Sequence, residues 1–138
     1  MCIARFGNDS GLVQIDIAQE KSLSGQTQKE NAWVVANIEI RVPGFLGRIS
    51  SFLDLYILKD FVWDLRRLYD TLQGHAELNP LDGDIAVKLE AGRAGLIEVS
   101  GHAYSFSTGV NKLSFEFEID QTFLSEPLAE LERFLRGV

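Results

Sequence analysis

One cysteine, one methionine, two histidines and three prolines in 138 residues leave few of the usual chemical groups. A lone Cys2 excludes an internal disulfide, so the fold must stand on its core. His75 and His102 lie in no His/Cys cluster of ligand spacing, which excludes a zinc site of the ordinary kind. No apolar run approaches the ~18 residues that a membrane-spanning helix needs. The opening Met1-Cys2-Ile3-Ala4-Arg5-Phe6-Gly7 lacks the basic start, long apolar stretch and small-residue cleavage site of a signal peptide, so a soluble, cytoplasmic chain is expected. Bases are scarce as well: 13 Lys and Arg stand against 20 Asp and Glu, for a net charge of −7. A phosphate-backbone binder needs the opposite sign, so neither nucleic acid nor membrane is expected as a partner. Phosphate loops are missing too. Gly92-x-x-Gly95 reads as a hairpin turn, and Gly44-x-x-Gly47 is not followed by the Lys-Ser/Thr of a P-loop.

What is present is ordinary globular material, 46% hydrophobic and 24% charged, long enough for one domain over residues 1–138. The charge is unevenly placed. Residues 1–74 carry nine acids and eight bases, whereas residues 75–138 carry eleven acids and five bases. A partner drawn to the second half would be a basic protein, because complementary fields steer encounter.

Apolar periodicity separates strands from helices. Leu12–Ala18 alternates, with Val13, Ile15 and Ile17 on one side. The polar stretch from Gln19 to Asn31, with Leu23 as its one apolar residue, reads as a loop. Ala32–Val42 alternates again, and Pro43-Gly44 marks a turn. Ser50–Leu58 reads as a further strand. The period then lengthens: Phe61, Leu65, Leu68, Tyr69 and Leu72 predict a helix over 60–73, with Asp60 as N-cap and Gly74 just past its end. Strands resume after Gly74. Asn79-Pro80 and Asp82-Gly83 mark a turn, Ile85, Val87 and Leu89 alternate, and Leu96–Tyr104 follows the hairpin. A Ser/Thr/Gly loop at 105–111 leads into Lys112–Asp120. A last helix carries Leu128, Leu131 and Leu135, with Ser125 as its cap and Pro127 in its first turn. Strands, helix, strands, helix predict an α+β fold, in which one twisted antiparallel sheet of about seven strands has two helices packed on one face. The stretch Ser51–Tyr56 before the first helix resembles Ser114–Ile119 before the second, a hint of internal duplication.

If the helices cover the Val/Ile/Leu/Phe side, the same alternation places Trp33, Phe52, Asp54 and Tyr56 on the other face. Glu98, His102 and Tyr104 join them there, with Ser114, Glu116, Glu118 and Asp120. Rings among carboxylates on a bare sheet describe a recognition surface. The partner-binding residues expected are Trp33, Phe52, Tyr56 and Tyr104 as anchors, with Glu98, Glu116 and Glu118 steering; a solvated face of cross-strand pairs is the alternative.

Catalytic groups are thin. Glu98 and His102 could do acid–base work, but no motif places a nucleophile or oxyanion donor beside them. Glu116 and Glu118 read as part of an acidic strip, His75 as a helix-end or strand-start residue, and Asp120-Gln121-Thr122 as capping at a strand-to-helix junction. Nothing activates Cys2. No catalytic residue, metal ligand or cofactor is assigned.

One set of residues is more specific. Phe61…Leu65…Leu68-Tyr69…Leu72…Gly74-His75-Ala76-Glu77-Leu78 is followed by Gly95-x-Ile97-x-Val99-x-Gly101. Asn111-x-Leu113-x-Phe115-x-Phe117-x-x-Asp120-Gln121-Thr122-x-Leu124 comes next, and Asn31-Ala32-Trp33 opens a strand. From about residue 31 to the C-terminus this pattern resembles the WapI-like bacterial immunity proteins and their relatives. The resemblance implies a small, acidic, cytoplasmic protein that neutralises the toxic domain of a contact-delivered polymorphic toxin by binding it. The matching residues are mostly core and cap positions, so no binding residue comes from them. The reading is therefore a non-enzymatic binding protein that acts by direct occlusion. Two alternatives stand beside it: a small-molecule or peptide binder with a pocket between sheet and helices, and an enzyme using His102 and Glu98.

Overall fold

The computed structural model describes residues 2–18, 33–80, 83–105 and 110–137. The polar loop expected from Gln19 to Asn31, Ala32 at the expected start of the next strand, Asp82 of the second turn and residues 106–109 of the Ser/Thr/Gly loop lie outside them. Among the described residues, eight strands and two helices follow one another as β1 (Cys2–Asn8), β2 (Gly11–Ile17), β3 (Trp33–Val42), β4 (Phe45–Asp54), α1 (Leu55–Thr71), β5 (His75–Leu78), β6 (Ile85–Ala91), β7 (Leu96–Tyr104), β8 (Lys112–Asp120) and α2 (Ser125–Arg136). A short 3-10 turn, Gln121–Leu124, leads into α2.

The class is α+β, as the periodicity predicts, but the strands divide into two antiparallel sheets, ordered β1-β2-β3-β4 and β5-β6-β7-β8. Each is a meander of near neighbours followed by a helix, so the hinted duplication is a real repeat of architecture. The additional strand is β1. Its apolar side is Cys2, Ala4 and Phe6, too small and mixed to stand out by pattern, and it is tied to β2 through an Asn8↔Gly11 hairpin. At the β3–β4 hairpin, Pro43 presets the first central residue and Gly44 supplies the positive φ (85°) that the second requires.

The first helix starts five residues earlier than the spacing predicts. Asp54, extended at φ −70 and ψ 136, is the cap, and its carboxylate accepts the Tyr56 N–H at 2.7 Å. Asp60 lies inside the helix. The error has a physical source: Leu53, Leu55 and Ile57 alternate as in a strand, while Leu55, Leu58, Phe61, Val62 and Leu65 form the buried helical stripe, and Leu55 belongs to both patterns. Leu72, not a glycine, takes the left-handed position at the helix end, and its N–H donates to the Leu68 carbonyl at 2.8 Å. At the second helix Ser125 is the first helical residue and does not cap. Asp120 does so one turn earlier, accepting the Thr122 N–H at 2.9 Å.

The helices are exchanged between the halves. α1 packs along β5 of the second sheet, and α2 along β1 of the first. Phe6 meets Phe61 edge-on at 6.3 Å, and one cluster of buried side chains runs through both sheets and both helices. Each helix thus covers the inner side of the other half's sheet. Among the described residues, no helix lies on the outer faces.

Candidate functional site

On the outer face of the second sheet, β6, β7 and β8 set Glu90 opposite Glu98, and Glu98 opposite Glu118. One step along, Lys88 faces Ser100, and Ser100 faces Glu116. Four glutamates therefore share a block of six neighbouring positions with Ser100 and with Lys88 at one corner. Lys88 reaches Glu90 at 3.6 Å. The remaining three crowd one another. Glu116 shares a hydrogen bond with Glu98, and that bond, with the adjacent charge of Glu116, pushes the Glu98 carboxyl above the ordinary glutamate range; Glu90 and Glu118 add to the rise. Glu116 and Glu118 are exposed.

Tyr104 stands on the same face, but six residues further along β7, about 20 Å from Glu98. Its ring meets His102 edge-on at 5.3 Å, and Lys112 Nζ lies 5.5 Å from its centre. The other expected anchors lie elsewhere. Trp33 and Phe52 touch at 4.9 Å on the outer face of the first sheet. Tyr56, expected on a strand, is in the first turn of α1, where Lys59 Nζ lies 5.9 Å from its ring. The expected single face is thus three places: an acidic ladder with Tyr104 at its far end, a Trp33–Phe52 pair, and a helix-borne Tyr56. Asp54, expected on that face, is taken up as the α1 cap.

Glu98 and His102 do not converge. Four residues of extended strand separate them by about 13 Å. Cys2 is buried, and burial with the nearby Glu130 charge pushes its thiol up to about 11, where it is no nucleophile. The space between helices and sheets, where a ligand pocket was one alternative, is filled by Leu58, Phe61, Leu65, Leu68, Leu128 and Leu131. Concavities open elsewhere. One of about 350 Å³ on the first sheet is lined by polar groups that already serve each other, among them Glu39 with Arg41 and Arg48, and Asn37 with Ser50. Another of about 350 Å³ runs from Phe45 and Leu46 to Tyr104 and Leu113.

Two exposed apolar sites escaped the sequence reading. Phe45 (65% exposed) and Leu46 follow the Pro43-Gly44 turn at the start of β4, beyond the reach of the core, and the turn signal was the available clue. Trp63, 70% exposed, sits on the wet side of α1, off the Leu58–Val62–Leu65 stripe.

The comparisons bear on this arrangement. The profile of the immunity protein WapI-like family matches residues 3–137, and so takes in β1 and β2 as well as the part from residue 31 onward. No curated protein matches the chain. A solved structure of MRP1/MRP2 from Trypanosoma bruciei is similar to it with a TM-score of 0.52 at 10% identity, over 98% of this chain and 81% of that one. At that identity the likeness is one of fold.

Proposed function

This chain belongs to the WapI-like family of immunity proteins, and from that premise we propose that it neutralises a toxin domain by direct occlusion, setting the outer face of its second sheet against a basic partner. The observation that carries the proposal is the crowding of Glu90, Glu98, Glu116 and Glu118. Like charges directly opposite across strands weaken a sheet, and the fold gains nothing from them. A cationic surface turns that cost into attraction and speeds encounter. Tyr104 is the ring available at the far end of the face. Trp33, Phe52 and Tyr56 are anchors for a partner large enough to reach the first sheet and α1 as well.

The test is the association rate of the partner toxin domain, measured across a salt series. Glu116→Lys combined with Glu118→Lys should slow association about tenfold or more at low salt and flatten the salt dependence. Unchanged rates would overturn the proposal. A second readout has a defined sign. A cation bound beside Glu98 favours its ionised form, so affinity falls as pH is lowered through the raised Glu98 range.

A further inference from the structure

Sheet edges are where a fold of this kind can be extended, because an outermost strand presents unpaired N–H and C=O groups. Two of the four edges here, β1 and β5, are the strands along which α2 and α1 pack. The other two edges are β4 and β8; among the described residues β8 has β7 as its one ladder partner, and β1 of the first sheet comes near it. Which of its residues face outward follows from the hydrogen bonds at the two ends of that ladder. Ser105 N–H donates to the Asn111 carbonyl at 2.8 Å, and Gln121 N–H to the Gly95 carbonyl at 3.1 Å. Bonded and non-bonded pairs alternate in an antiparallel ladder. The bonded pairs between those ends are therefore Ala103–Leu113, Gly101–Phe115, Val99–Phe117 and Ile97–Ile119. The backbone N–H and C=O groups of Ser114, Glu116 and Glu118 point away from β7, and all three residues are exposed.

We propose that β8 is a strand-addition site that receives an extended segment of the partner bearing Lys or Arg at alternate positions. The proposal rests on the acidic-face reading above and specifies how the partner is held. Main-chain ladder bonds provide attachment, and side-chain alternation provides selection. On the outer side, the added strand's side chains lie beside Glu116 and Glu118, where cations fit. On the inner side they lie beside Leu113 and Phe117, which are half-buried, so residues of the other parity are apolar. The same two glutamates disfavour a second copy of this chain at this edge, since pairing β8 with itself brings acid towards acid.

The probe is a capped ten-residue peptide of alternating lysine and valine, compared with the same peptide methylated at every backbone nitrogen. Methylation keeps the charge and removes every ladder donor. Amide NMR of the full chain should show the parent peptide shifting the Ser114, Glu116 and Glu118 amides and slowing their hydrogen exchange, with the methylated peptide binding about tenfold more weakly or worse. Ser114→Pro, a substitution that an edge strand tolerates, removes one outward donor without altering charge and should also weaken the parent peptide. If that variant does not fold, the pair of peptides decides alone. Equal binding of the two peptides, no binding of either, or unprotected β8 amides would overturn strand addition. Should both peptides bind equally and both be lost on Glu116→Lys with Glu118→Lys, the acidic face stands and only the strand edge falls.

Discussion

At the Glu98 carboxyl, charge and geometry pull in opposite directions. The register across β6, β7 and β8 places it among Glu90, Glu116 and Glu118, and Glu116 beside it favours its protonated form. The sign of the consequence follows from linkage. A carboxyl whose folded pKa lies above its unfolded value favours the fold at acid pH, and that advantage is lost as pH rises through the folded pKa. Carbon-detected NMR titration should find Glu98 titrating above the ordinary glutamate value, and Glu116→Gln should bring it back down. Glu98→Gln should raise the thermal midpoint at neutral pH and change it least at acid pH; an equal shift at both would show that the carboxylates do not interact. Glu132 has the opposite sign. Arg66 holds its two oxygens at 2.7 and 3.0 Å and keeps its carboxyl below the usual range. This acidic strip was readable as alternation on β8. The pairing of Glu98 with Glu116 was not, because it depends on the register between strands.

Among the elements, the two strand-to-helix corners use one device. Asp54 and Asp120 are each the last residue of a strand, extended (φ −70 and −79), and each carboxylate accepts the N–H two residues on. Replacing Asp54 by Ala removes a cap and should cost about 1 kcal/mol, measured as a drop in urea midpoint at constant slope. Asp54→Asn, which keeps the acceptor, should recover most of it. The Asp120 corner has a further tie, since Gln121 Nε2 donates to the Tyr69 carbonyl at 2.7 Å and joins the second corner to the end of α1. Asp120-Gln121-Thr122 was legible as a junction because the aromatic alternation of β8 stops there. The Asp54 corner was hidden by Leu55, which continues the strand pattern while starting the helical one.

Over the whole molecule, the exchange of helices binds the halves, and one buried polar contact aligns the sheets. Ser51 of β4 donates to the Asp84 carboxylate beside β6 at 2.9 Å, with both residues buried. Elsewhere between the two sheets, the Phe117 ring of β8 lies against the bare backbone of Gly11 in β2, where a Cβ would come within 2.5 Å of the ring. Ser51→Ala deprives a buried carboxylate of its donor and should cost about 1–3 kcal/mol in urea unfolding. Ser51→Ala with Asp84→Ala should cost less than the two single losses added together. Strict additivity would show that the contact does not couple the sheets. None of this could be read in advance. Ser51 and Asp84 are ordinary polar residues in the sequence, and only the crossing of two sheets makes them neighbours.

Period-two alternation assigns each strand an apolar and a polar side, since successive side chains leave a strand in opposite directions. The inner faces, the acidic bias of the second half and the order of elements were therefore determined by the sequence itself. So was the family pattern, which lies mostly in core and cap residues. Alternation carries no information about which sheet a strand joins, which helix lies over it, or what stands beside its outer edge, because those depend on contacts between residues far apart in the chain. Tertiary structure alone divided the eight strands into two sheets, moved Tyr56 onto a helix, and parted Trp33 and Phe52 from Glu98. Among the described residues, it also left β8 with β7 as its one ladder partner, beside its glutamates.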